Sequence, residues 1–280
     1  MKVCEDIAGL RQQLSDYSNQ KIALVATMGN LHAGHLQLVK RAQQLADKVV
    51  VSIYVNPLQF NDASDFEHYP RTFAQDRQQL AAMSVDVLFA PESAVLYPQG
   101  QQCSCKVSVP DLGDILEGEH RPGHFTGVTT IVNKLFNIVQ PDIAVFGEKD
   151  FQQLLLIRRM VADLNMPIDI VAEPTCREKN GLAMSSRNNR LSAAERQQAA
   201  AIYQQLQEIR EQLQQGRQDY AGLQAEAMSA LAQQGLQAEY VAICNAADCS
   251  ALQVGESQAV ILLAARLADV RLIDNLQVNL

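Results

Sequence analysis

Two hundred and eighty residues, 48% hydrophobic and 19% charged, make a chain long enough for one large domain or two smaller ones, and too apolar to stay disordered. A net charge of -8 excludes the basic excess of a nucleic-acid-binding protein, and no run approaches the roughly 18 unbroken apolar residues of a membrane helix. Residues 1–10 carry Glu5 and Asp6 where a secretory leader is basic and then apolar, so the expected compartment is the cytoplasm, with neither nucleic acid nor membrane as a partner.

In chain order, residues 21–26 (KIALVA) and 48–55 (KVVVSIYV) are short β-branched runs with helix-forming residues at 35–46 between them, which predicts a β-α-β unit. Residues 72–83 read as a helix, Thr72 and Gln75 being spaced as a capping box, ahead of an apolar run at 86–90. Val128, Ile131, Val132, Leu135 and Val139 share one helical face. A strand is expected at 142–146, and Leu154, Ile157, Val161 and Leu164 mark a helix before another strand at 168–172. Continuous apolar strands alternating with amphipathic helices imply an α/β fold built on a doubly wound parallel sheet covered on both faces.

Beyond Glu173 the pattern changes. A turn-rich piece at 174–189 leads to Ser192 and Glu195, a second capping-box spacing, and then to one long glutamine-rich helix with Ile202, Leu206, Ile209 and Leu213 on one side. A helix near 223–231 and strands near 240–244, 259–265 and 270–274 complete a smaller C-terminal α+β unit. The expected domains are therefore 1–175 and 176–280. Six scattered cysteines with no C-x-x-C pair suit neither a zinc site nor a disulfide framework, and read as small apolar residues.

Four segments carry residues suited to chemistry. Met28, Gly29, Asn30, Leu31, His32, Ala33, Gly34 and His35 leave the first strand and open the first helix, where free N–H groups and the dipole attract phosphate. His32 and His35 lie three residues apart on one side, and the glycines let backbone approach a nucleotide. Gly147, Glu148, Lys149 and Asp150 likewise leave a strand. Asp150 suits a helix N-cap, but a lysine ahead of a helix N-terminus is disfavoured unless an anion lies between them. Met184, Ser185, Ser186 and Arg187 offer two hydroxyls and a guanidinium to terminal phosphates, although taken alone they read as an ordinary polar turn. Asn56 and Gln59, after the second strand, are carboxamides that can orient a hydroxylated substrate. Arg121 and His124 form a further loop, the first a candidate carboxylate partner and the second a local turn bond.

Taken together these segments resemble the pantothenate synthetase (pantoate:beta-alanine ligase) family of the H-x-G-H nucleotidyltransferase-like superfamily. The resemblance spans nearly the whole chain: TMGNLHAGH at 27–35, VNPLQF at 55–60, YPRT at 69–72, LEGEHRPGHFTGV at 116–128, KLFNIVQPDIAVFGEKDFQQL at 134–154, GLAMSSRN at 181–188 and RLIDN at 271–275. It implies a Rossmann-like nucleotide- and pantoate-binding domain with a C-terminal domain closing over the ATP site. It implies ATP-dependent condensation of pantoate with beta-alanine through pantoyl adenylate, with release of AMP and pyrophosphate. Carried over by motif, Met28 to His35 would line the ATP site, His35 as proton donor and His32 as phosphate partner. Gly147 to Asp150 would bind ATP with Lys149 on phosphate, Met184 to Arg187 would meet the triphosphate, and the backbone near Cys176 would meet adenine. Gln59 and Gln153 would hold pantoate, with Gln59 also bordering beta-alanine. Magnesium is implied as a phosphate partner, Asp76 being an added candidate for it, and a homodimer as the assembly. One departure from the family pattern is Ala26, where its strand carries proline before Thr-Met-Gly.

Three rivals remain at this point. An adenylyltransferase shares the H-x-G-H turn but would retain AMP in its product; a class I aminoacyl-tRNA synthetase fragment would need a basic RNA-binding surface; a nucleotide-binding regulator would need a broken site. Asn56, Gln59 and the GEKDFQQL run favour the ligase.

Overall fold

The computed structural model describes residues 1–61 and 63–280. Contacts divide the chain into two units, one of Met1–Glu148 with Gln153–Pro174, the other of Lys149–Gln152 with Thr175–Leu280.

In the first unit, six strands, β1 (Lys2–Cys4), β2 (Ile22–Thr27), β3 (Lys48–Ile53), β4 (Val87–Phe89), β5 (Ile143–Gly147) and β6 (Asp169–Glu173), form one sheet in the order β1-β4-β3-β2-β5-β6. Every pairing is parallel. The helices are α1 (Ile7–Ser15), α2 (Ala33–Leu45), α3 (Ala63–Glu67), α4 (Phe73–Ala82), α5 (Ser93–Leu96), α6 (Glu117–His120), α7 (His124–Val139) and α8 (Phe151–Asp163).

The strands are apolar throughout because both faces are covered. Along β2, Leu24 joins the cluster of Val128, Ile131, Val132 and Leu135 from α7 with Leu154 and Ile157 from α8. Its neighbours Ala23 and Val25 join Val39 and Ala42 of α2 and Leu80 of α4. Successive side chains thus enter opposite layers, as the pleat requires.

From β2 the chain winds outward through β3 and β4, then returns to β2's other side with β5. The strand order reverses between β2 and β5. Ligands of such sheets bind at the carboxyl ends of the strands at this reversal, which here are the Met28–His35 and Gly147–Glu148 segments.

The second unit packs α9 (Ala193–Ala199), α10 (Ala201–Gln214) and α11 (Tyr220–Gln233) with the antiparallel sheet of β7 (Gln237–Asn245), β8 (Gln258–Leu267) and β9 (Val270–Asn279). Ile202, Leu206, Ile209 and Leu213 of α10 meet Ile261, Leu263, Ala265 and Leu272 in one cluster.

Three local expectations are corrected. Thr72 makes no side-chain cap to α4; its hydroxyl donates to Asp76 at 3.1 Å instead. The single glutamine-rich helix is two, α9 and α10, separated at Ala200. The last strand does not stop at Asp274 but continues to Asn279, because β8 supplies a ladder partner for each added residue, from Asn275 against Leu262 to Asn279 against Gln258. The Ser192 and Glu195 capping box is present in both directions.

Candidate active site

The histidine turn begins where β2 ends. Thr27 donates its hydroxyl to the Ser52 carbonyl at 2.8 Å and accepts from the Gly29 amide at 3.2 Å. Gly29 and Asn30 then take left-handed φ values of 78° and 49°. A Cβ on Gly29 would lie 3.1 Å from an Asp76 oxygen and from Ile53, so both backbone conformation and space favour glycine there. The two left-handed residues aim consecutive amides, those of Asn30 and Leu31, at the Asp76 carboxylate at 2.9 and 2.8 Å.

Asp76 is 1% exposed. Its oxygens accept two amides and the Thr72 hydroxyl, so the carboxylate serves as the internal acceptor that holds the turn. Ala26, the departure from the family pattern, lies in the ladder opposite Ser52.

His32 is the N-cap of α2. Its Nδ1 accepts from the Gly34 amide at 3.2 Å, and the Nδ1 of His35 accepts in return from the His32 amide at 3.3 Å. Two histidines therefore build the reciprocal cap usually made by Ser or Thr and Glu. The rings lie 4.0 Å apart. A ring nitrogen that accepts an amide proton carries none of its own, so the cap assigns each neutral ring its proton on Nε2. The two rings thus sit at the N-terminus of α2.

The carboxamide pair is built from farther apart. Asn56 is 1% exposed; its Oδ1 accepts from the Tyr97 hydroxyl at 3.0 Å, and its Nδ2 donates to the Gly127 carbonyl at 3.1 Å and Gln59 Oε1 at 3.2 Å. The Gly127 carbonyl can only accept, which orients Asn56 and in turn obliges Gln59 to present its oxygen to Asn56 and its Nε2 elsewhere. The Asn56 carboxamide thus orients Gln59, the other carboxamide of the predicted substrate pair. A side chain on Gly127 would collide with the Leu58 carbonyl, so this glycine permits α7 to approach the Asn56–Gln59 turn. Burial pushes the Tyr97 phenol up, keeping it a proton donor.

His124 makes the expected local turn bond, its Nε2 lying 3.0 Å from Arg121 Nη1. Its Nδ1 also lies 2.7 Å from the Gln59 carbonyl, and Arg121 donates to the same oxygen at 3.2 Å. Arg121 lies 3.9 Å from Glu117. These residues fix the backbone that carries Gln59.

Gly147 ends β5 and Glu148 follows it in the first unit, where Gln153 is partly exposed in the first turn of α8.

In the second unit, Lys149 lies in a 3-10 turn, Glu148–Asp150, with its Nζ 3.6 Å from Asp150 Oδ1. Part of the anion that its position demands comes from its own neighbour. Cys176 and Met184 adjoin: the Met184 amide donates to the Cys176 carbonyl at 2.9 Å, and the sulfurs are 3.5 Å apart. Ser185 accepts from the Arg187 amide at 3.2 Å, capping the 3-10 turn Ser186–Arg190.

Residues 177–183 form a tight hairpin closed by an Arg177–Ala183 bridge, with Gly181 left-handed at 94°. Arg177 stacks 3.8 Å from the Tyr203 ring centre and grips both Asp274 oxygens at 2.6 and 3.0 Å. Asp274 is 4% exposed; burial raises its carboxyl above the usual range against the opposing pull of Arg177 and, more weakly, of Lys149. Sequence reasoning assigned no role to Arg177, Asp274 or Tyr97. The available signal was an Asp-Asn pair inside an apolar strand, since a buried carboxylate needs a partner.

Among the described residues no group of three or more His, Cys, Asp and Glu could hold a metal ion, and no helix is long and apolar enough to cross a membrane.

A doubly wound sheet with a paired-histidine helix cap at its reversal point is the arrangement of an enzyme that works on nucleotide phosphate. Residues 2–277 match the family model of pantoate-beta-alanine ligase. The pantothenate synthetase of Vibrio parahaemolyticus is 49% identical over 100% of this chain and 94% of its own length. That of Azotobacter vinelandii is 52% identical over 93% and 92%. Among solved structures, the pantothenate synthetase of Thermus thermophilus superposes with a TM-score of 0.92 at 42% identity, covering 99% of each chain. The pantoate-beta-alanine ligase of Francisella tularensis, complexed with beta-gamma ATP and beta-alanine, gives 0.83 at 36% identity over 99% and 97%.

The chain belongs to the pantoate-beta-alanine ligase family. Its reaction is the family's, the ATP-dependent condensation of pantoate with beta-alanine to pantothenate through an adenylate.

Proposed function

We propose that the reciprocal histidine cap is the catalytic centre of adenylate formation, the observation that carries this reading being the two imidazoles it fixes, through their Nδ1 atoms, at the carboxyl end of β2. A pantoate carboxylate oxygen attacks the α-phosphorus of ATP, the new P–O bond forms as the bond to the bridging oxygen breaks, and pyrophosphate departs with the electron pair. The beta-alanine amine then attacks the acyl carbon, AMP leaves with the carboxylate-derived oxygen, and the amine loses a proton. Neither step needs a protein nucleophile; both need charge stabilised on phosphate oxygens.

His35 and His32 serve as neutral hydrogen-bond donors to those oxygens, with the α2 N-terminus adding its amides and dipole. Lys149, Ser185, Ser186 and Arg187 meet the remaining phosphates. Met28 to Gly34, Gly147, Glu148, Asp150 and the Cys176 and Met184 backbone line the rest of the nucleotide. Gln59, with Nε2 turned away from Asn56, and Gln153 hold pantoate. Magnesium, bound together with ATP, would supply positive charge to the phosphate oxygens, with Asp76 as its candidate protein contact. Residues 1–175 supply the pantoate contacts and most of the nucleotide contacts, residues 176–280 the hydroxyls and the guanidinium. Cytoplasmic location and homodimeric assembly complete the reading, supported by the resemblance.

The test measures pyrophosphate and AMP release from Mg-ATP and pantoate with and without beta-alanine. In the wild type, sustained release of both depends on beta-alanine. His35→Ala lowers pyrophosphate formation by about 10²- to 10⁴-fold with the fold retained; turnover near wild type in that variant removes His35 from the mechanism.

A further inference from the structure

Lys149 is on a flexible four-carbon stem, and a lysine acting as a point charge on phosphate is only as well placed as its backbone. That backbone is held from β9. Asn275 Nδ2 donates to the Lys149 carbonyl at 2.8 Å, across 126 residues of sequence and within one unit of the fold. Asn275 is itself fixed on both sides: its amide donates to Asp274 Oδ1 at 2.8 Å, and its carbonyl accepts from Arg177 at 3.3 Å. Arg177 in turn closes the 177–183 hairpin through the Gly181 carbonyl at 3.1 Å and pairs with buried Asp274.

Alternation along β9 explains the arrangement. Asp274 continues the phase of Val270, Leu272 and Val278, which enter the core cluster, while Asn275 falls in the opposite phase. Two adjacent residues thus serve two segments far apart in sequence, Asp274 holding the hairpin next to Cys176 and Met184, Asn275 holding Lys149. The Lys149 ammonium is also near enough to Asp274 to pull its carboxyl down.

We propose that Asn275 is a positioning residue for ATP use: it sets the Lys149 peptide so that the ammonium meets phosphate, and Asp274 with Arg177 keeps Asn275 in place. This rests on the reading of Lys149 as a phosphate contact. A contact of this kind moves nucleotide use and leaves the pantoate site untouched.

The experiment is a double-mutant cycle of Asn275→Leu and Lys149→Met, read as kcat and KM for Mg-ATP, pantoate and beta-alanine, with thermal melting of each variant. Asn275→Leu keeps the branching at Cγ and removes the donor. It should lower kcat/KM for Mg-ATP by about five- to tenfold, the scale of one hydrogen bond, with the KM for pantoate and beta-alanine within about twofold. In the Lys149→Met background the same change should cost less than about twofold, because the contact has no ammonium left to place. Asn275→Asp, isosteric but facing the carbonyl with an acceptor, should exceed Asn275→Leu on Mg-ATP.

A severe Lys149→Met with a fully multiplicative Asn275→Leu overturns the positioning role while sparing the reading of Lys149. An innocuous Lys149→Met overturns that reading, and the inference with it. Equal losses on all three substrates, or failure of both Asn275 variants to fold, would make the residue structural and end the proposal.

Discussion

The histidine turn and the Lys149 segment both leave a parallel strand and enter a helix, yet they are held in opposite ways. At the turn, His32 and His35 hold each other through bonds spanning two or three residues, and one distant side chain, Asp76, completes the loop. Around Lys149, the holding contacts come from β9 and the 177–183 hairpin, the hairpin itself being tied to β9 across 97 residues. A locally capped site can be recognised from a few letters of sequence. A site held at long range depends on the whole of a folded unit and is the easier of the two to loosen.

The comparison can be broken most directly at its strongest points. His35→Ala should remove about 10²- to 10⁴-fold, or about 3–5 kcal/mol of transition-state stabilisation, with melting nearly unchanged; a large melting shift instead would show that the cap is structural first. Asp274→Ala should act in the other sense, costing about 2–4 kcal/mol of stability by leaving the half-buried Arg177 guanidinium without its carboxylate. Pairing Arg177→Met with Asp274→Leu should recover most of that loss in a urea titration, and no recovery would mean that the packing rather than the charge is at stake.

Asp76→Ala strands two buried amides and should cost about 2–4 kcal/mol, raising the KM for Mg-ATP alongside; an unchanged denaturation midpoint would show that the turn closes without its acceptor. Gln59→Ala should be milder, about tenfold on pantoate alone, and equal effects on ATP would move Gln59 out of the pantoate site.

The smallest effect is chemical rather than energetic. Burial pushes the Cys244 thiol up to about 11 and that of Cys249 to about 12, so each titrates well above neutrality and holds almost no thiolate at about pH 7.5. Cys103 and Cys105 are exposed. A thiol reagent at that pH should modify Cys103 and Cys105 quickly in the folded protein while leaving Cys4, Cys244 and Cys249 intact. Rapid loss of Cys244 or Cys249 would mean that the second unit opens far more readily than its packing indicates.

The parallel sheet was legible because its strands are buried on both faces and read as unbroken apolar runs between amphipathic helices. The histidine turn was legible because its chemistry is compressed into eight consecutive residues. Other features were not. Thr72 and Gln75 have the spacing of a capping box, but the Thr72 hydroxyl is drawn to Asp76, since a buried carboxylate outcompetes a local cap. The strand after Asp274 was hidden because Asn275, Gln277 and Asn279 have poor strand propensity, and only the β8 ladder makes them extended. The local bond of His124 to Arg121 was legible, but its second contact was not, because the Gln59 carbonyl lies 65 positions earlier.

By itself the sequence determined the layer architecture, the helix that begins at the paired histidines and the class of chemistry, because periodicity, capping and phosphate affinity are local properties of neighbouring residues. The tertiary structure decided which carboxylate holds the turn, which carboxamide atom Gln59 turns toward Asn56 and what holds Lys149. Those depend on single hydrogen bonds between segments far apart in the chain, and a donor and an acceptor carry no mark in sequence of which partner the fold will bring within about 3 Å.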